Sequence, residues 1–340
     1  MQDFVGARGL LPPERLAALC ERRDGPGLTH LAGHFGLIAA CVAGLAWTAG
    51  TWWCVPFLAL QGMAINFLYA PLHECDHYTA FRTRWLNIAV ARVCGFLLLY
   101  PNDYHRCSHY QHHRHTQDWE QDPEINERAP YRDAWSYLVA LAGIVSLWPV
   151  RVRPLVMYAA GVARDPFVPA AQRPVLVAVA RWHMAGYALI AAHALATQSW
   201  WPVYYWLGPM LLMRWTYLLQ GLGEHTGLTH EPNTLLNTRT LATGPFMRWL
   251  NWNMTWHTVH HTFPAVPFHR LGELHREVES RLGFALPTDT YWSLHRRHLR
   301  ALAGGQTELD LCAADTERQR AAGRLAPAPA VVTAGADASP

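Results

Sequence analysis

Polarity along the chain divides it into four long apolar runs separated by polar, histidine-rich stretches. Residues 30–50, 52–72, 175–197 and 200–222 are each apolar over about the 20 residues that a ~30 Å hydrocarbon core requires. The connectors at 48–53 (TAGTWW) and 197–201 (TQSWW) are short and uncharged, so the runs pair as two helical hairpins. Two further runs, 86–101 (LNIAVARVCGFLLLYP) and 134–150 (AWSYLVALAGIVSLWPV), are marginal in length for a crossing. Residues 1–29 carry charge and no apolar core of a signal peptide. From 303 onward Ala, Gly, Pro and Thr dominate and the chain reads as a disordered tail. The expected organisation is an N-terminal segment at 1–29, a membrane domain at 30–302 and a tail at 303–340.

Composition agrees with a membrane protein that has a substantial polar part. The 340 residues are 51% hydrophobic and only 16% charged, with 16 Trp and 13 Tyr. Every basic residue is Arg, and most lie outside the four runs; the positive-inside bias then puts both termini and the middle segment in the cytosol. A formal charge of +3 argues against a nucleic-acid partner. The seven cysteines form no CxxC pair, which fits reduced thiols facing the cytosol.

The 20 histidines are unevenly spread. His73 and His77 close the second run; His109, His112 and His113 form a second cluster, and His257, His260 and His261 a third. His225 stands alone just past the fourth run. Positions i, i+3 and i+4 share a helix face, so each cluster aims its imidazoles in one direction. Eight clustered imidazoles plus His225 would fill most of the coordination of two metal ions. Spacing does not name the metal, since imidazole suits Zn, Cu, Fe and Ni. Clusters that cooperate must share one side of the membrane, so an even number of crossings separates each pair. Runs 86–101 and 134–150 are therefore expected to lie at the interface.

HECDH at 73–77, HYQHH at 109–113 with RHTQDWEQDPE after it, and HTVHH at 257–261 with TFPAVPFHRL after it resemble the three histidine boxes of the membrane fatty acid desaturase family. The DPE at 122–124 and Pro-x-x-Pro-Phe-His at 264–269 fit the same pattern, and the similarity covers roughly 30–300. Within the family the chain looks closest to a bacterial branch that includes the rhizopine-type hydrocarbon oxygenase and dihydrorhizobitoxine desaturase. The resemblance implies an all-α integral membrane fold, with four transmembrane helices in two hairpins, interfacial helices and a cytosolic di-iron cap. It also implies two non-haem Fe ions, O₂ as co-substrate, and nine ligands: His73, His77, His109, His112, His113, His225, His257, His260 and His261. One branch of the family carries Asn four residues before the isolated histidine; here that position is Gly221.

Around the ligands, Glu74, Asp76, Asp118, Asp122, Glu124 and Glu224 are near enough in sequence to accept from metal-bound imidazoles, with Asp122 the first choice and Glu74 beside it. His105 and His115 extend the second cluster and are expected to neighbour the metals instead of binding them. Arg181 and Arg214 fall within apolar runs and are expected to snorkel toward headgroups, the alternative being a grip on an anionic substrate.

The function expected is O₂-dependent desaturation of a fatty acyl or lipid-like chain by an integral protein of the bacterial inner membrane. Hydroxylation or another oxygenation of a hydrocarbon or amino-acid-derived molecule is the close alternative. A zinc hydrolase needs fewer ligands, and a metal transporter would place its ligands at mid-bilayer. No haem or iron–sulfur signature is visible, so electrons are expected from a separate ferredoxin- or rubredoxin-type donor with its reductase.

Overall fold

A computed structural model describes residues 9–125 and 128–326. The chain is mostly helical, and among the described residues one sheet pairs two-residue strands, Thr240–Leu241 and Thr288–Asp289, in parallel. Among the described residues three helical stretches are long and apolar enough to cross a membrane: Pro13–Trp47, Cys54–Asp76 and Ala170–Ala196. They cover all but one to three residues of three of the four predicted runs, 30–50, 52–72 and 175–197. Their outward faces are apolar, and Trp47, Trp52 and Trp200 stand about four-fifths or more exposed at the two hairpin connectors. Tryptophan at helix ends is the usual marker of a membrane interface.

The fourth predicted run is not a continuous helix. It comprises a π-helical turn at Val203–Leu207, an α-helical stretch at Gly208–Leu212, a break at Met213 and a helix at Arg214–His225. Pro209 is one cause, because it has no N–H to offer the carbonyl four residues back. That carbonyl, of Tyr205, accepts instead from Gln61 Nε2 at 2.9 Å. Asn66 Nδ2 similarly serves the carbonyl of Met210 at 2.8 Å. Both amides come from the Cys54–Asn66 helix, which packs tightly on Gly208–Leu212. A Cβ on Gly62 would sit 2.1 Å from the Pro209 oxygen and 2.7 Å from Met213 Cβ, so only glycine permits this approach.

The run at 134–150 is also bent. Gly143, with φ 73°, ends the Ala134–Ala142 helix in a left-handed cap, and the chain turns 57° into Ile144–Ala159. Residues 86–101 give a single helix, Arg84–Leu97, about 21 Å long at 1.5 Å per residue and too short to cross.

The expected disordered tail is corrected in part. Glu308–Ala321 is a helix opened by a reciprocal Thr307–Asp310 capping box. It docks because Glu308 is buried, takes a bidentate pair from Arg128 at 2.7 Å and accepts the Tyr131 N–H at 3.0 Å. Low hydrophobicity hid this anchor from the sequence reading. Residues 327–340 lie outside the described part.

Candidate metal centre

Four helices deliver the nine histidines to one place. The last turn of Tyr69–Asp76 carries His73 and is capped by His77. The 13-residue helix Asn102–Arg114 carries His109, His112 and His113 on one face, and the short helix His257–Thr262 carries His257, His260 and His261. The last residue of Arg214–His225 supplies the ninth.

They form two sets. His73, His77, His109, His113 and His260 bring five ring nitrogens within 4.8 Å of one another, and His112, His225 and His261 form a second such group. His257 completes the second set, with its Nε2 2.9 Å from that of His225. In the first set, His109 Nε2 lies 3.0 Å from His77 Nε2 and 2.9 Å from His113 Nε2, which is 3.2 Å from His260 Nε2. One proton bridges two nitrogens and cannot satisfy five. Spacings near 3 Å are those of neighbouring ligands at right angles around an ion with metal–nitrogen bonds of about 2.1 Å. The buried Nε2 atoms of His73, His112 and His261 have no hydrogen-bond partner. Unpartnered buried polar atoms are rare and call for an explanation. A pair of metal ions supplies one, so the residues present fit the di-metal group.

Burial sets the charge state. Desolvation, followed by the neighbouring imidazoles, holds His109, His113, His225, His257, His260 and His261 far below the ordinary histidine value, and burial lowers His77 to about 3. These rings are neutral at physiological pH, the form that binds metals. His112 goes the other way: burial opposes its charge, but Asp122 and Glu124 outweigh it and raise the ring to about 9. That value and a metal-binding role conflict only if Nε2 needs the second proton. A neutral ring donating Nδ1–H satisfies Asp122 and leaves its Nε2 lone pair free.

The surrounding carboxylates order the rings. Both oxygens of Asp122 accept from His112 Nδ1 at 2.9 Å, and Asp122 is itself fixed by the Gln117 and Glu124 N–H groups. Glu124 lies 3.3 Å from His109 Nδ1, and Glu224 3.3 Å from His257 Nδ1. Glu74 sits between two rings, 3.8 Å from His73 Nδ1 and 4.0 Å from His260 Nδ1. Its other oxygen accepts from Thr79 and the Phe268 N–H. Asp76 holds His105 Nδ1 at 2.6 Å, so His105 stacks on His109 without joining either set. Asp118 is turned to its own loop, where it accepts from Glu120 and Gln121. His115 caps the second-box helix and belongs to neither set.

Sequence reasoning missed three contacts. Thr116 Oγ1 meets His261 Nδ1 at 3.2 Å. Gln117, buried at φ 71°, donates to the His225 carbonyl at 2.6 Å. Below the rings Tyr69, Tyr100 and Tyr217 form an aromatic floor, Tyr69 lying 5.9 Å from His73 and 4.9 Å from Tyr217. The positive-φ Gln117 directly after the second box leaves no pattern that a single sequence reveals.

The two arginines separate. Arg181 is exposed and donates to the Ala159 carbonyl at 3.0 Å. Arg214 does not snorkel: it is 2% exposed and donates Nε to the Gly143 carbonyl at 2.7 Å. The bend at Gly143 places an acceptor within its reach.

The sequence model of the fatty acid desaturase family matches residues 50–295. Among curated proteins, the sn-1 oleoyl-lipid 12-desaturase of Synechocystis sp. is 32% identical over 72 residues, 21% of this chain and 20% of that protein. The proteins of the same name from Anabaena variabilis and Arthrospira platensis are 27% and 28% identical over 90 and 100 residues. These stretches cover 25% and 28% of this chain, and 26% and 28% of those proteins. The matches therefore span about a quarter of the relatives' length.

Proposed function

The chain belongs to the fatty acid desaturase family, and on that premise we propose that it is a membrane di-iron enzyme that desaturates an aliphatic chain with O₂ and external electrons. The observation that carries the proposal is the convergence of nine histidines, eight of them buried, into sets of five and four. His73, His77, His109, His113 and His260 hold one iron; His112, His225, His257 and His261 hold the other. When bound, the iron pair supplies the reduction of O₂ and the removal of hydrogen from an unactivated C–H bond.

The chain's own residues prepare that chemistry. Asp122 fixes the His112 tautomer by accepting Nδ1–H, which keeps Nε2 directed into the centre. Glu124 does the same for His109, and Glu224 sets a carboxylate 3.3 Å from His257 Nδ1. Glu74 spaces His73 from His260, and its ties to Thr79 and the Phe268 N–H link the first box to the segment after the third. The Tyr69, Tyr100 and Tyr217 rings exclude water beneath the centre and give a substrate carbon an apolar approach. Exclusion of water also protects the reacting carbon from side reactions.

In this reading residues 30–302 form the membrane domain. The three long helices and the broken segment at 203–222 cross the inner membrane, with 86–101 and 134–150 at the interface. Both termini and the histidine cap face the cytosol, where a ferredoxin- or rubredoxin-type donor reaches them.

The test is metal analysis and turnover of the purified protein. The expected result is about two Fe per chain and a product two hydrogens lighter than the substrate, formed only with O₂ and reduced donor. Product formation under strict anaerobiosis, or one tightly bound Zn in place of iron, overturns the reading.

A further inference from the structure

Two guanidiniums lie buried below the aromatic floor, and among the described residues neither has a carboxylate within ion-pair distance. Arg151 and Arg214 are each 2% exposed, and the charge of Arg151 bears on Arg214. Arg151 donates Nη1 to the Leu98 carbonyl at 3.1 Å, while its Cζ sits 5.2 Å from the Tyr100 ring and 5.7 Å from the Tyr217 ring. Arg214 stands one turn before Tyr217 on the same helix. One N–H of each is unsatisfied, at Arg151 Nε and Arg214 Nη1. Buried like charges with no counter-ion are costly, and intramembrane cations mark substrate sites by default.

The backbone is irregular on every side of this pair. Arg151 rides on a π-helical turn, Trp148–Val152. Arg214 follows the break at Met213 and bonds to the left-handed Gly143, while the carbonyl that Arg151 holds belongs to Leu98, next to Leu99 at φ 58°. Irregular backbone at membrane depth is tolerated where it lines a cavity or is buried in protein, and π-turns concentrate at functional sites. An apolar cleft of about 470 Å³, lined by Leu138, Ile144, Leu211, Trp215 and Leu219, opens near the Gly143 bend, on a different face of the Arg214–His225 helix from Arg214. From Arg214 the helix runs to His225, about 16 Å in eleven residues. Arg214, Tyr217, Gly221 and His225 follow one side of it. A Cβ on Gly221 would meet nothing nearer than Tyr217 Cζ at 4.0 Å, so the helix leaves open space just before the metal ligand.

We propose that Arg151 and Arg214 form a buried receptor for the carboxylate of an aliphatic acid, whose chain runs past Gly221 toward the histidine centre. The site rests on the reading above that this centre oxidises an aliphatic chain, and it names the substrate as a free acid instead of an esterified lipid. A carboxylate accepts from the two unsatisfied N–H groups and neutralises the pair; an ester cannot supply the charge.

The test uses the full-length protein in phosphatidylcholine nanodiscs with dodecanoate labelled with ¹³C at the carboxyl carbon. Wild type should show a distinct bound carboxyl resonance that titrates about 1–3 pH units below the same acid in empty discs. Methyl dodecanoate should not compete. Arg151→Gln and Arg214→Gln should each weaken binding roughly tenfold, as loss of a charged hydrogen bond implies, while Arg151→Lys and Arg214→Lys keep the charge and retain more. Absence of a bound resonance in wild type overturns the receptor, as does equal competition by the ester. Displacement of the acid by phosphatidylglycerol in the discs would assign the pair to a lipid phosphate and overturn it too. Binding requires no turnover, so a protein that binds the acid but oxidises no chain refutes the proposed function alone. One that oxidises methyl dodecanoate as fast as the acid refutes the receptor alone.

Discussion

His225 and His230 are five residues apart, yet the structure gives them different work. His225 ends its helix with Nε2 2.9 Å from that of His257, whereas His230 receives Trp119 Nε1 at 3.2 Å and holds the Gln117 carbonyl at 2.7 Å. Replacing His225 with Ala should reduce iron content and abolish turnover, while His230→Ala should leave both near wild type. Full iron and full turnover in His225→Ala would leave the three boxes as the whole site. Asp122→Asn should weaken metal binding about 10- to 100-fold with little loss of fold, because the ring loses its charged acceptor but keeps its place. Metal titration against a competing chelator reads this directly. The eight clustered histidines were legible because i, i+3 and i+4 spacing is itself geometric, while the isolated His225 was expected only from the family resemblance. Arg151 was not, since PVRVRP at 149–154 gives no sign that one arginine turns into the protein and the next stays exposed.

At the scale of elements, the long helices followed from apolar length alone. The breaks did not, because each is stabilised by a partner distant in sequence: Gln61 and Asn66 serve carbonyls near Pro209, and Arg214 serves Gly143. Gly62→Val should lower stability by about 1–3 kcal/mol or more, since its side chain would collide with the Pro209 carbonyl. Thermal unfolding in detergent measures this, and an unchanged midpoint would contradict the close helix approach. The helix Glu308–Ala321 makes a second test. Truncation after Gln306 removes Glu308 from Arg128 and from the Tyr131 N–H, so the unfolding midpoint should fall; a disordered tail would leave it unchanged.

For the whole molecule, the charge state of the centre dictates a pH response. The buried rings other than His112 are neutral when folded and titrate near 6.5 when unfolded. A depressed folded value costs nothing above pH ~6.5; stability is lost as pH falls from there toward the folded value, about 3 for His77. His112, raised to about 9, adds stability below pH ~6.5 that is lost as pH rises toward 9. The metal-free protein should therefore lose stability from pH 7 to 9 and also, through the depressed rings, from pH 6 to 4. A flat profile across that range would mean the rings are not buried neutral. Bound metal should hold the midpoint up until protons compete for the nitrogens. Orientation is tested separately: reporters fused at either terminus, or inserted at 110–130, should report the cytosolic face. One at 110–130 on the outer face would remove the shared-side arrangement on which the four-crossing topology depends.

Local chemistry determined the helices, the membrane class, the histidine faces and the family pattern, because hydrophobic length and helical period act over a few residues. Asp122 could be proposed as a partner because it lies ten residues from His112, within one loop. Tertiary structure decided what depends on contacts across the chain. It divides nine equivalent-looking histidines into five and four, breaks the fourth run, anchors the last helix on Arg128, and buries Arg151 beside Arg214. Each of those outcomes sets a polar group against a partner tens to hundreds of residues away. No periodicity along the chain encodes such a pairing; only the packed fold, which must satisfy every buried donor and acceptor, selects it.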